Sequence, residues 1–140
     1  MQGALALARR AQGETWPNPA VGCVLVKDGA VIGRGRTAPG GRPHAEAAAL
    51  AAAGAAAKGA TAYVTLEPCA HHGKTPPCAQ ALIDAGIARV VYAVDDPDPR
   101  VNGGGAAMLA KAGITCERGT LAAEAEAVNA GFFMRVVEGR

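Results

Sequence analysis

The chain has 140 residues, half of them apolar, and a formal net charge of +2. That length carries one ordinary core and leaves no room for a second catalytic domain, and no apolar run approaches the roughly 18 to 20 residues that cross a bilayer. The small charge argues against a nucleic-acid-binding surface and allows a single phosphate site. The first residues lack the basic stretch, apolar core and cleavage site of a signal peptide, so the sequence predicts a soluble cytoplasmic protein with no membrane partner. In that compartment the four cysteines read as metal ligands or buried thiols rather than disulfides. Cys23 and Cys116 lie in strand-like runs and are assigned to core packing.

Residues 1–13 are rich in Ala, Leu and Arg, favour a helix and stop at Gly13, whose missing Cβ suits a helix end. Thr15-Trp16-Pro17-Asn18-Pro19 follows, and its two prolines forbid both helix and central strand. Val21 to Lys27 and Ala30 to Arg36 are β-rich runs around Asp28-Gly29, which supplies the positive φ angles of a tight hairpin. Gly33-Arg34-Gly35-Arg36-Thr37-Ala38 has the spacing of a dinucleotide loop. That motif must run from a strand straight into a helix, and Pro39-Gly40-Gly41 follows instead, so a nucleotide cofactor is rejected.

From there the rhythm is helix, glycine, strand. Helices are predicted at about 44–57, 78–85 and 106–112, each passing through a glycine to a strand at 61–66, 89–94 and 114–117. Such alternation means crossover units and parallel strands. Leu121, Ala125, Val128 and Phe132 recur at the spacing of one buried helix face. The expectation is an α/β fold in three layers, α/β/α: a five-stranded mixed sheet, hairpin first and parallel strands after, with helices on both faces and one domain over residues 1–140.

Two segments carry the chemistry. Pro43-His44-Ala45-Glu46 puts an imidazole and a carboxylate at the start of a helix. In the second, Cys69 follows a parallel strand, where open α/β sheets place their ligand sites, and Cys78 follows Pro76-Pro77 at the start of another helix. Two thiolates and a neutral imidazole balance the charge of Zn²⁺ and leave a fourth position to water, the arrangement of a catalytic site. Zinc lowers the pKa of such a water to about 7, and Glu46 beside it can accept the proton and deliver it to a leaving nitrogen. His-x-Glu with a Pro-Cys pair is the signature of zinc nucleobase deaminases. A structural zinc would need a fourth protein ligand from His71, His72 or another cysteine, and the eight residues between Cys69 and Cys78 exceed the usual short zinc knuckle.

Taken together, Thr15 to Cys23, Gly41 to Glu46, Thr65 to Cys78, Asp96-Pro97-Asp98-Pro99 and Asn129 to Arg135 resemble the deaminase domain of bacterial riboflavin-biosynthesis proteins, the diaminohydroxyphosphoribosylaminopyrimidine deaminases of the cytidine deaminase-like superfamily. The likeness covers almost the whole chain, and its most specific part is His-His-Gly-Lys-Thr-Pro-Pro between the cysteines. The resemblance implies a cytidine deaminase-like fold and hydrolytic deamination at C2 of 2,5-diamino-6-(5-phosphoribosylamino)pyrimidin-4(3H)-one, giving 5-amino-6-(5-phosphoribosylamino)uracil and ammonia. It implies zinc on His44, Cys69 and Cys78, proton transfer by Glu46, and substrate contacts by Asn18, His71, Lys74 and Asp98. Asp98 stands where the family usually has Asn, and Ala70 replaces a common Ser. The family protein normally continues into an NADPH-dependent reductase domain, whereas this sequence stops at Arg140; the expectation is either a domain of a longer protein or a deaminase working alone. A homo-oligomer is the family expectation. The competing readings are a deaminase of free bases, nucleosides or tRNA adenosine, and a zinc-stabilised binding module without catalysis.

Overall fold

The computed structural model describes residues 1–15, 18–70, 77–97 and 103–138, with side chains to residue 134. Its elements are α1 (Gln2–Ala11), β1 (Gly22–Lys27), β2 (Ala30–Arg36), α2 (Ala45–Ala53), β3 (Thr61–Val64), α3 (Cys78–Asp84), β4 (Arg89–Tyr92), α4 (Gly104–Lys111), β5 (Thr115–Arg118), α5 (Ala122–Val128) and α6 (Ala130–Glu138). The five strands lie in the order β2-β1-β3-β4-β5. β1 pairs antiparallel with both β2 and β3, while β3, β4 and β5 run parallel. The hairpin turns at Asp28 and Gly29, with φ of 53° and 78°, and the mixed sheet expected from the sequence is the one observed.

Alternation along the strands sends side chains to opposite faces. Cys23 and Leu25, Ala62 and Val64, and Val90 and Tyr92 face the main cluster with Ala45 and Ala49 of α2, Ala79 and Leu82 of α3, and Leu109 of α4. A second cluster joins Leu5, Ala8 and Ala11 of α1 with Ala93 and with Ala125 and Val128 of α5. The sheet is therefore the middle of three layers. Cys23 is fully buried in it, as expected of a packing thiol, and burial pushes its pKa well up. Cys116 is half-buried.

The glycines of the apparent dinucleotide loop lie inside β2, where they serve packing. A Cβ on Gly33 would come within 2.5 Å of the Ala49 carbonyl oxygen, and one on Gly35 within 2.3 Å of the Ala45 oxygen. Their bare backbone lets α2 settle directly on β2, which fixes where the first turn of α2 points.

The C-terminal region corrects the sequence reading. The periodicity predicts one buried helix face through Leu121, Ala125, Val128 and Phe132, but the helix is broken into α5 and α6 at Asn129, with φ −113° and ψ 31°. Ala125 and Val128 are buried; Leu121 and Phe132 are only half-buried. The break has a cause in hydrogen bonding. Asn129 turns its amide inward, accepting the Ala20 N–H at 2.7 Å and donating to the Ala20 carbonyl at 2.7 Å.

Candidate functional site

The antiparallel hairpin brings the start of β1, the end of β2 and the C-terminal ends of β3 and β4 to one edge of the sheet. Register shows it: Gly22 pairs with Arg36, and Cys23 with Val64, which is level with Tyr92. The loops that leave this edge are stitched together by threonines. Thr37 Oγ1 accepts the Val21 N–H at 2.9 Å, Thr65 Oγ1 accepts the Gly22 N–H at 3.1 Å, and the Thr15 hydroxyl donates to the Asn18 carbonyl at 2.9 Å. Each satisfies a backbone group where the ladders end.

At this edge α2 and α3 begin side by side. His44 is the N-cap of α2 and Glu46 lies in its first turn; Pro77 is the N-cap of α3 and Cys78 its first residue. Cys69 lies in the connection that leaves β3. The ligand atoms of His44, Cys69 and Cys78 all lie within 4.8 Å of one another. His44 Nδ1 is 3.3 Å from Cys78 Sγ, and the Cys78 N–H donates to Cys69 Sγ at 3.2 Å. Among the described residues these three form the group able to share a metal ion.

The ionisable groups gathered here shift one another. The hydrogen bond from the Cys78 thiol, with help from His44 and the Cys78 N–H, pulls Cys69 down to about 4 against the effect of burial. Cys78 moves the opposite way, because it keeps the proton that it shares with Cys69 and because it is buried. The Cys69 sulfur also holds the His44 imidazole above its ordinary range. Glu46 is 4% exposed, and burial, reinforced by the negative Cys69, pushes its carboxyl up to about 7. Its own backbone N–H, His44 and Cys78 pull the other way. An imidazole and two cysteine sulfurs thus converge at the sheet edge, with the buried Glu46 carboxyl near enough to feel their charge.

Asn18 is exposed at the rim. Its amide packs on Gly41, where an added Cβ would fall 2.1 Å from Asn18 Nδ2; with φ of 92° at Gly41, only glycine suits the position. This contact sets Asn18 beside the segment leading to His44. His71, Lys74 and Asp98 lie outside the described residues.

Sequence reasoning gave no task to Glu67, which is only 3% exposed. Among the described residues its carboxylate accepts backbone N–H groups from Asp96 and Gly103 on Oε1 and from Ala106 on Oε2. A charge between apolar Leu66 and Pro68 at the end of a buried strand was the available signal, since such a charge must find partners. Asn129 was read only as part of a resemblance. Its bonds to Ala20 were not visible in any local pattern.

The three-layer fold and the His/Cys/Cys group at the strand ends define a zinc-binding deaminase class, and the comparisons agree. The family model described as the cytidine and deoxycytidylate deaminase zinc-binding region matches residues 1–94, and the chain belongs to that family. Over 139 residues it is 55% identical to the riboflavin biosynthesis protein RibD of Escherichia coli K12, covering 99% of this chain and 38% of that one. A shorter relative, the diaminohydroxyphosphoribosylamino-pyrimidine deaminase of Buchnera aphidicola subsp. Acyrthosiphon pisum, is 48% identical and is covered to 95%. Among solved structures, the diaminohydroxyphosphoribosylaminopyrimidine deaminase/5-amino-6-(5-phosphoribosylamino)uracil reductase of Thermotoga maritima superposes with a TM-score of 0.94 at 42% identity, covering all of this chain and 41% of that one. The chain thus spans about two fifths of the RibD relatives and nearly the whole of the shorter deaminase.

Proposed function

We propose that residues 1–140 form a zinc-dependent pyrimidine deaminase domain that converts 2,5-diamino-6-(5-phosphoribosylamino)pyrimidin-4(3H)-one to 5-amino-6-(5-phosphoribosylamino)uracil and ammonia. The observation that carries this reading is the buried Glu46 beside the converged His44, Cys69 and Cys78. The name of the 48% identical Buchnera relative, which the chain matches over nearly its full length, supports the choice of substrate.

The donor set fits zinc. Two sulfurs and one imidazole nitrogen are the ligands it prefers, and three protein donors are the number at catalytic rather than structural sites. His44, Cys69 and Cys78 would hold the ion, releasing the protons that the cysteines now share. When bound, the metal supplies Lewis-acid activation of water. Glu46 takes one proton from the water as its oxygen bonds to C2 of the ring, then delivers that proton to the amino group as the C2–N bond breaks. Ammonia leaves, and the remaining hydroxyl proton moves to a ring nitrogen to give the uracil carbonyl. Burial suits Glu46 to this exchange by keeping competing water away.

Asn18, His71, Lys74 and Asp98 are assigned to substrate: Asn18 and His71 to the ring, Lys74 to the phosphoribosyl group, Asp98 to a contact of its loop. The same reading places the domain in the cytoplasm, where its thiols stay reduced, as a homo-oligomer. It also pairs the domain with an NADPH-dependent reductase that takes the product, as the two-part name of the Thermotoga relative suggests. The deciding experiment is ammonia release from the diaminopyrimidine ribotide, set against cytidine and an adenosine-containing tRNA. Turnover of the ribotide alone is expected; preference for either of the others overturns the substrate assignment. For Lys74, Lys74→Ala is expected to raise KM for the ribotide far more than for its dephosphorylated form, and equal changes remove that role.

A further inference from the structure

We infer that Glu67 is a positioning residue of this site, tying the first turn of α4 and both flanks of the β4–α4 connection to the loop that carries Cys69. The inference rests on the deaminase reading above for its kinetic consequence, and on geometry alone for its structural one.

A carboxylate that is 3% exposed, between Leu66 and Pro68, is costly to bury unless its oxygens are filled. Among the described residues its hydrogen-bond donors are backbone N–H groups, all from the segment that runs from the end of β4 into α4. Asp96 N–H reaches Oε1 at 3.2 Å and Gly103 N–H reaches the same oxygen at 3.1 Å, while Ala106 N–H reaches Oε2 at 3.3 Å. Asp96 follows β4, Gly103 is the N-cap of α4, and Ala106 is in the helix's first turn. α4 has no cap from its own N-cap side chain, because that residue is glycine. Glu67 therefore caps a helix from a different part of the chain, supplying the acceptors and the negative charge that a helix start lacks.

The surroundings make this a close joint. A Cβ on Gly105 would sit 1.7 Å from the Pro68 carbonyl oxygen, and one on Gly104 would touch the Ala70 Cβ at 3.4 Å. The first turn of α4 thus lies against Pro68 and Ala70, on either side of Cys69. Cys69 itself has separate supports: its sulfur takes the Cys78 N–H, and its carbonyl takes the Ala79 N–H at 3.0 Å. Loss of the Glu67 joint should accordingly leave the metal donors in place and displace the neighbouring wall.

Glu67→Gln tests this with little change of shape. Gln has one acceptor oxygen and one NH₂, so at one of the two positions a donor must face a backbone donor. Amide hydrogen exchange should accelerate at least about tenfold at Asp96, Gly103 and Ala106, with Val64 and Val90 unchanged. Zinc should remain at the wild-type stoichiometry, and KM should rise about tenfold with kcat held within about threefold, as when binding rather than the transition state is affected. Gly105→Ala, which leaves Glu67 intact but drives α4 away from Pro68, should reproduce the KM change. Wild-type protection at the three amides overturns the inference. So does exchange that accelerates throughout the sheet, or a kcat loss larger than the KM change. If the wild-type chain fails to turn over the ribotide, the functional proposal falls, and the amide pattern still decides the place of Glu67.

Discussion

Glu46 and Glu67 are buried alike, 4% and 3% exposed, and each lies two residues from a member of the His44, Cys69 and Cys78 group, yet their surroundings differ. Around Glu46 the neighbours are titratable: His44, Cys69 and Cys78, with its own N–H as the backbone contribution. Around Glu67, among the described residues, the hydrogen-bond donors are the backbone N–H groups of Asp96, Gly103 and Ala106, which keep their protons at ordinary pH, and Tyr92 is reached only through charge. A carboxylate among groups that exchange protons is placed to move one. A carboxylate among fixed dipoles is placed to hold geometry.

The strongest break of this comparison strikes the donors that define the Glu46 region. Cys78→Ala should abolish both zinc retention and ammonia release, and lower Tm, because a bound ion stabilises only the folded chain. Full zinc occupancy in that variant, measured by elemental analysis, would remove Cys78 from the ligand set. Next, Glu46→Gln should keep fold and zinc while kcat falls about 10²- to 10⁴-fold, the usual range for a lost general acid–base. Unchanged turnover would sink the proton-transfer role, and the contrast with Glu67→Gln, expected to act on KM, would vanish with it.

A neutral counterpart of the Glu67 joint sharpens the contrast. Asn129 uses its amide as one donor and one acceptor on Ala20, closing the α5–α6 junction over the loop that carries Asn18. Asn129→Ala leaves a buried N–H and C=O unpaired, and about 2 to 4 kcal/mol of stability should be lost, seen as a Tm lower by several degrees with zinc retained. A loss near zero would mean that Ala20 is held by other bonds. Smallest of all, Arg89→Gln should change stability by less than about 1 kcal/mol: its contact with Glu117 joins side chains 40% and 51% exposed. A larger loss would show that the β4–β5 edge carries load unlike any other surface pair.

Much of the molecule was legible before its folding. Helix and strand periods, the Asp28-Gly29 turn and the helix-glycine-strand rhythm are local properties of the chain, and the five-stranded sheet follows from them. The meeting of His44, Cys69 and Cys78 was legible because residues at helix starts and after strand ends gather at one end of such a sheet. The C-terminal helix was misread because its apolar spacing continues through Asn129, and the spacing carries no trace of Ala20, 109 residues away. Gly33 and Gly35 imitated a nucleotide loop because a missing side chain looks the same in sequence whether a phosphate or a helix takes its place.

The sequence by itself determined which atoms are available: one imidazole, two thiols and a carboxyl, on elements whose local preferences are strong. Only the tertiary structure decided which of two buried glutamates meets titratable groups and which meets backbone. That choice depends on where β3, β4 and the start of α4 come together, and a carboxylate takes its role from the donors that long-range packing delivers to it.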